Sequence, residues 1–138
     1  MKVFLDTNII IDFFDSDRGH YMPTAIIFDL AIKKEIELVA CAQSFITAFY
    51  ILRKSYDKYE LCEKLLSIAE LCTVTPVDSA IIETSLREVG VDFEDTVQYF
   101  SSCTISDVDI ILTRDRKGFN EFPVKHVSAE TFLDEYFA

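Results

Sequence analysis

Val108-Asp109-Ile110-Ile111-Leu112-Thr113 is an apolar run broken only by Asp109, and its reading decides the fold class. A strand that is apolar along its length, rather than at alternate positions, is covered on both faces. That is the condition of a central strand in a parallel sheet. Working outward, residues 2–5 at the start of the chain read as another buried strand. Leu38–Cys41, an extended Val74–Val77 and a short Lys125–Val127 complete the set. Helical patterns fall between them. Asn8–Phe14 is short, and 23–35 carries Pro23 near its first turn with Ile26, Ile27, Leu30 and Ala31 on its apolar face. Ser44 can cap a helix running to about Tyr56. Residues 58–72 place Leu61, Leu65, Ile68, Ala69 and Cys72 three or four apart. Helices also fit 79–89, the segment opened by Asp92-Phe93-Glu94-Asp95 that runs to about Ser102, and 129–137. Strands alternating with helices predict an α/β architecture of three layers, a doubly wound, mostly parallel sheet with helices on both faces. One domain spanning 1–138 is expected.

Composition narrows the function classes. The 138 residues are half hydrophobic, with 12 Phe but only three Gly and three Pro, which leaves little room for linkers. No apolar stretch reaches the roughly 18 residues of a membrane span, and the N-terminus reads as a strand rather than a signal peptide. A cytoplasmic protein with no membrane association is expected. Cys41, Cys62, Cys72 and Cys103 are irregularly spaced and apolar in context, so they read as buried free thiols. Phe13, Phe14, Phe45, Phe49 and Tyr50 read as core or dimer surface rather than a base-stacking platform. The formal charge is −11, from 24 acidic and 13 basic residues. That sign opposes direct binding of nucleic acid unless a local basic rim, or a divalent cation in an acidic cleft, reverses the local field.

Acidic residues recur at matching places. Asp6 follows the first strand, Asp95 lies in the first turn of a helix, and Asp115 follows the run that ends at Thr113. Each also has a purely structural reading. Asp6 can cap the next helix, Asp92 and Asp95 can form a capping box, and Asp115 can be a turn residue. In open α/β sheets, however, the functional crevice lies outside the carboxyl ends of the strands. Acids gathered there suit Mg²⁺, which takes oxygen ligands and retains several waters. Such a site supports phosphodiester hydrolysis.

These stretches resemble the PIN domain family, in particular its VapC-type toxins. The resemblance is carried by VFLDTNIIIDFF (3–14), ITAFYILRK (46–54), DFEDTVQYFSS (92–102), VDIILTRDRKGF (108–119) and VKHVSAETFL (124–133). It covers the whole chain in family order. It implies a small doubly wound domain with an Mg²⁺- or Mn²⁺-dependent ribonuclease site acting on RNA. By position, Asp6, Asp95 and Asp115 match the metal-binding acids, and Asn8 and Thr113 match polar residues that hold them. A homodimer and a small antitoxin partner with basic residues reaching the cleft are implied as well. One departure stands out: there is no carboxylate between Glu37 and Asp57, and Ala48, or a neighbour such as Thr47, takes the place of an expected acid. Asp92 is a candidate to compensate as a further metal ligand. Arg114, Arg116 and Lys117 flank Asp115 and are candidates to grip RNA phosphates.

The reading is therefore a metal-dependent endoribonuclease, the toxin of a toxin–antitoxin pair. The alternative is a catalytically weakened or inactive PIN domain that binds RNA or protein without cutting. A phospho-acceptor receiver domain is disfavoured, because Asp6 has no acidic neighbour before Asp12.

Overall fold

A computed structural model describes residues 1–17 and 19–138. Its strands are β1 (Lys2–Leu5), β2 (Glu37–Cys41), β3 (Cys72–Thr75), β4 (Val108–Leu112) and β5 (His126–Val127). The helices are α1 (Thr7–Asp12), α2 (Tyr21–Ile32), α3 (Ala42–Leu52), α4 (Lys58–Leu71), α5 (Ser79–Arg87), α6 (Phe93–Ser102) and α7 (Ala129–Tyr136). A 3₁₀ turn covers Arg116–Phe119. The five strands form one sheet in the order β3-β2-β1-β4-β5, with every neighbouring pair parallel.

The apolar runs behave as central strands should. Val3, Phe4 and Leu5 are fully buried, and so are Ile111 and Leu112. The pleat divides them between the faces. Val3, Leu5, Leu38, Ala40, Ile110 and Leu112 pack into the larger core with Ile27, Leu61 and Phe132 of the helices. Phe4, Val39, Cys41 and Ile111 point the other way, onto Phe119 and Tyr99. Helices thus cover both faces.

Most helices start where a side chain can satisfy free backbone N–H groups. Asp57 accepts from Tyr59 and Glu60, Asp78 from Ile81, Asp92 from Asp95, and Ser128 from Thr131. Ser44 is the exception to the expected pattern. Helix α3 begins three residues earlier, after Cys41, and Ser44 lies buried in its first turn. Its hydroxyl is bonded to Thr7 and Gln98, so it serves tertiary contacts rather than a cap. Strand β3 likewise starts at Cys72, directly after α4, two residues before the expected Val74. Cys62 and Cys103 are exposed, against the expectation that all four cysteines are buried. Among the described residues, no helix is long and apolar enough to cross a membrane.

The chain order creates one special place. From β1 the sheet grows outward through β2 and β3, then the chain returns to add β4 and β5 on the other side. The winding direction reverses between β1 and β4, and such a switch point opens a crevice at the carboxyl ends of its strands. Asp6 follows β1 there, and its N–H donates to Leu112 O at 2.9 Å. Thr113 follows β4.

Candidate active site

Asp6 is 3% exposed, and its backbone is extended (φ −63°, ψ 153°), so the strand ends and α1 begins at this residue. Its carboxylate is held from three sides. Oδ1 accepts from the Thr7 N–H at 2.7 Å and from Gln98 Nε2 at 2.8 Å. Oδ2 accepts from the Thr113 hydroxyl at 2.6 Å. The capping reading and the functional reading of Asp6 are therefore compatible. One oxygen stops the strand, while the other faces β4.

Helix α6 brings the second acid. Asp92 caps it through a 2.9 Å bond from the Asp95 N–H, which fixes Asp95 in the first turn. Asp95 Oδ1 accepts from Gln98 Nε2 at 3.4 Å, so one amide bridges the acids of two elements. Asp115 is reached through Thr113, whose Oγ1 accepts from the Asp115 N–H at 3.0 Å, and its own carboxylate accepts from Lys117 N–H at 3.3 Å. Asn8 Oδ1 lies 3.5 Å from the Arg114 N–H.

Asp6, Thr7, Asn8, Ile11, Thr47, Ile51, Asp92, Glu94, Asp95 and Asp115 line one cleft of about 280 Å³. The expected acids and Asn8 thus meet at the switch point. Thr113 stands behind them as a tether. No Lys or Arg lines the cleft among the described residues. The predicted basic residues sit outside it. Arg114 pairs through Nε with the buried Asp12 at 2.9 Å, while Arg116 and Lys117 are exposed on the 3₁₀ turn.

Charge crowding shows in the acidities. Burial pushes the Asp95 carboxyl up to about 8, reinforced by Asp6, Asp92, Asp115 and Glu94. Burial also raises Asp6, against the hydrogen bonds from Thr113, Gln98 and Thr7, with the Asp115 charge acting in the same direction as burial. Glu94 is raised by burial, opposed by a bond from the Thr7 hydroxyl and aided by Asp6 and Asp92. The donors in the cleft are hard oxygens, without His or Cys, which fits Mg²⁺ or Mn²⁺ rather than a soft metal. Among the described residues, no group of three His, Cys, Asp or Glu side chains stands close enough together to hold an ion. An ion there would complete its coordination with water, as Mg²⁺ does.

Sequence reasoning misses Glu94 and Gln98 as site residues, reads Ser44 only as a cap, and names Thr47 only beside Ala48 as the place of a missing acid. Glu94 sits inside the D-F-E-D motif, where the capping pattern drew notice to its neighbours. Gln98 lies one turn beyond Asp95, and that i, i+3 spacing was the available signal. The structure also separates Thr47 from Ala48. Thr47 lines the cleft, whereas Ala48 is fully buried in the main core.

Gly118 has a steric role here. Its φ is not positive, so an alanine is acceptable to the backbone. A Cβ would nevertheless stand 1.8 Å from Asp95 Oδ2 and 2.8 Å from its Cγ. Gly118→Ala is expected to swing the Asp95 carboxylate aside and weaken Mn²⁺ binding about tenfold, with little change in Tm. Titration of the variant with Mn²⁺, followed by electron paramagnetic resonance, checks this.

A parallel five-stranded sheet with oxygen donors gathered at its switch point defines an α/β domain with an acidic cleft suited to a hard cation. The PIN domain family model matches residues 2–117, and the chain belongs to that family. It is 24% identical over 140 residues to Ribonuclease VapC1 of Aquifex aeolicus, covering 98% of this chain and 95% of the relative. Among solved structures it resembles VapBC2 from Rickettsia felis bound to a DNA fragment from its promoter, at 17% identity and a TM-score of 0.64. That match covers 93% of this chain and 98% of the other. VapC20 of Mycobacterium tuberculosis, described as a toxin cleaving the sarcin–ricin loop, aligns at 12% identity and a TM-score of 0.63 over 83% and 90%. The fold is that of the PIN domain.

Proposed function

We propose that this protein is a divalent-metal-dependent endoribonuclease, the toxin member of a toxin–antitoxin pair. The observation that carries the reading is the convergence of Asp6, Asp95 and Asp115 in one cleft at the switch point, with Thr113 bonded to the Asp6 carboxylate and Gln98 to those of Asp6 and Asp95. The similarity to Ribonuclease VapC1 supports it. Asp6, Asp95 and Asp115 would hold the metal, with Glu94 and Asp92 at the rim. When bound, the ion would supply Lewis-acid polarisation of a phosphodiester oxygen and make water a better nucleophile near neutral pH. The chain's own part is to aim the carboxylates, whose burial and mutual repulsion favour a cation among them. Thr113 restrains Asp6 Oδ2 and the start of the Asp115 loop with one hydroxyl. Arg116 and Lys117, exposed beside Asp115, would attract RNA phosphates toward an otherwise acidic mouth. A small antitoxin would neutralise the toxin by placing basic residues in the cleft.

The test is cleavage of a mixed RNA substrate with Mg²⁺ or Mn²⁺. Asp6→Asn preserves shape, because an asparagine oxygen can still accept from Thr7 and Gln98. Cleavage by this variant is expected to fall by about 10²–10³-fold. Equal rates in wild type and variant would remove Asp6 from the chemistry.

One observation favours a second reading, a PIN domain that binds RNA without cutting. The face of α3 that lines the cleft presents Thr47 and Ile51 and no carboxylate. RNA binding without cleavage at millimolar Mn²⁺ would select this reading.

A further inference from the structure

We infer that Gln98 is a positioning residue that sets the separation and aim of Asp6 and Asp95 as ligands for the cation, an inference that rests on the nuclease reading above. Gln98 is fully buried on α6. Its two N–H groups donate to carboxylates on different elements, Asp6 Oδ1 at 2.8 Å and Asp95 Oδ1 at 3.4 Å. Its carbonyl accepts from the Thr7 N–H at 3.2 Å and from the Ser44 hydroxyl at 3.2 Å. The amide is saturated, and it ties α6 to the end of β1, the start of α1 and the first turn of α3.

The pattern of partners separates positioning from mere support of the core. The Thr7 N–H also donates to Asp6 Oδ1 at 2.7 Å, and the Ser44 hydroxyl also bonds Thr7 Oγ1 at 2.7 Å. Asp6 Oδ2 keeps Thr113. Each of these groups therefore has a second bond when Gln98 is lost. Asp95 differs: among the described residues, Gln98 is its carboxylate's one side-chain hydrogen-bond donor. The charge type matters as well. Two acids brought together in a buried place repel each other, and a lysine could hold them by cancelling their charge. An amide fixes their geometry and leaves the negative charge for a cation. The bridge also constrains which oxygens face outward. Both acceptor directions of Asp6 Oδ1 are consumed by Thr7 and Gln98, which leaves only Oδ2, beside its bond from Thr113, with an acceptor direction to spare.

The experiment compares wild type, Gln98→Met and Ser44→Ala by Mn²⁺ titration with electron paramagnetic resonance, thermal melting and RNA cleavage. Gln98→Met keeps an unbranched side chain of similar length without donors. Its Mn²⁺ affinity is expected to drop about 10–100-fold, and kcat to fall while KM for RNA stays put. Ser44→Ala, which frees one side of the Gln98 carbonyl, should show a smaller loss in the same direction. A Gln98→Met protein that is folded and binds Mn²⁺ as tightly as wild type overturns the inference and leaves the nuclease reading intact. If that variant does not fold, unchanged Mn²⁺ affinity in Ser44→Ala overturns it instead. A wild type that binds no Mn²⁺ defeats both the inference and the nuclease reading.

Discussion

Asp95→Asn is expected to abolish metal-dependent RNA cleavage and, in the same protein, to raise stability without metal. The stability half follows from linkage. Folding raises the Asp95 carboxyl from its ordinary 3.8 to about 8, through burial first and then through Asp6, Asp92, Asp115 and Glu94. The folded state therefore binds a proton that the unfolded chain has already released between about pH 4 and pH 8. Stability from this group is complete below the unfolded value and declines as pH rises through that window. Asparagine, which never ionises, escapes the decline. In EDTA the variant's advantage should be nil near pH 3.5 and reach a plateau above pH 8. Its size there, after discounting the full shift for solvent screening of a partly exposed carboxyl, should be roughly 1–3 kcal/mol, or about 3–10 °C in Tm. With millimolar Mn²⁺ the order reverses. Wild type gains the ion's binding energy and the variant does not. Differential scanning calorimetry at two pH values, with and without metal, checks both signs, and an Asp95→Asn protein less stable than wild type in EDTA at pH 8 would overturn the argument.

The second large effect separates two adjacent positions on α3. Ala48→Glu is expected to cost at least about 3 kcal/mol, because Ala48 is fully buried among Leu5, Leu61 and their neighbours and a carboxyl there finds apolar surroundings. Thr47→Glu should fold normally, since Thr47 stands at the cleft wall and loses only a 3.4 Å bond from Gln43. Its new carboxylate would face the same space as Asp6 and Asp95. Mn²⁺ affinity should rise about tenfold, and cleavage with it. Chemical denaturation of the first variant and Mn²⁺ titration of the second make the measurement. If Thr47→Glu lowers Mn²⁺ affinity, the idea that the α3 side of the site is short of charge is wrong.

The contrast between these two residues also shows what was legible in the sequence. Periodicity sufficed for the strands, because Val3–Leu5 and Ile110–Leu112 are buried on both faces and few patterns compete with that. The acids at the strand ends followed from the same reading, since Asp6 and Asp115 are tied to where the strands stop. Phase along a helix was harder. Thr47 and Ala48 differ by one residue and about 100° of rotation, and the polar stripe of α3 is short, Gln43, Ser44 and Thr47 only, with apolar Ile51 continuing the same side. Ser44 looked like a cap because serine favours helix starts, yet its hydroxyl is used by Thr7 and Gln98, contacts 37 and 54 residues away in the chain. Gln98 carries only a weak signal, its i, i+3 spacing from Asp95. A buried glutamine is recognisable only once its two acids are seen to converge.

The placement of β1 between β2 and β4 has a consequence for synthesis. Asp6 leaves the ribosome well before its tethers: Gln98 is 92 residues further on and Thr113 is 107. Contacts of such range form only after the intervening loop has closed. Until β4 is made, one edge of β1 lies open and Asp6 lacks the hydroxyl that restrains its Oδ2. The cleft is therefore complete only when the fourth strand docks, and a growing or truncated chain that ends before it has Asp6 and Asp95 without Thr113 and Asp115 to finish the site.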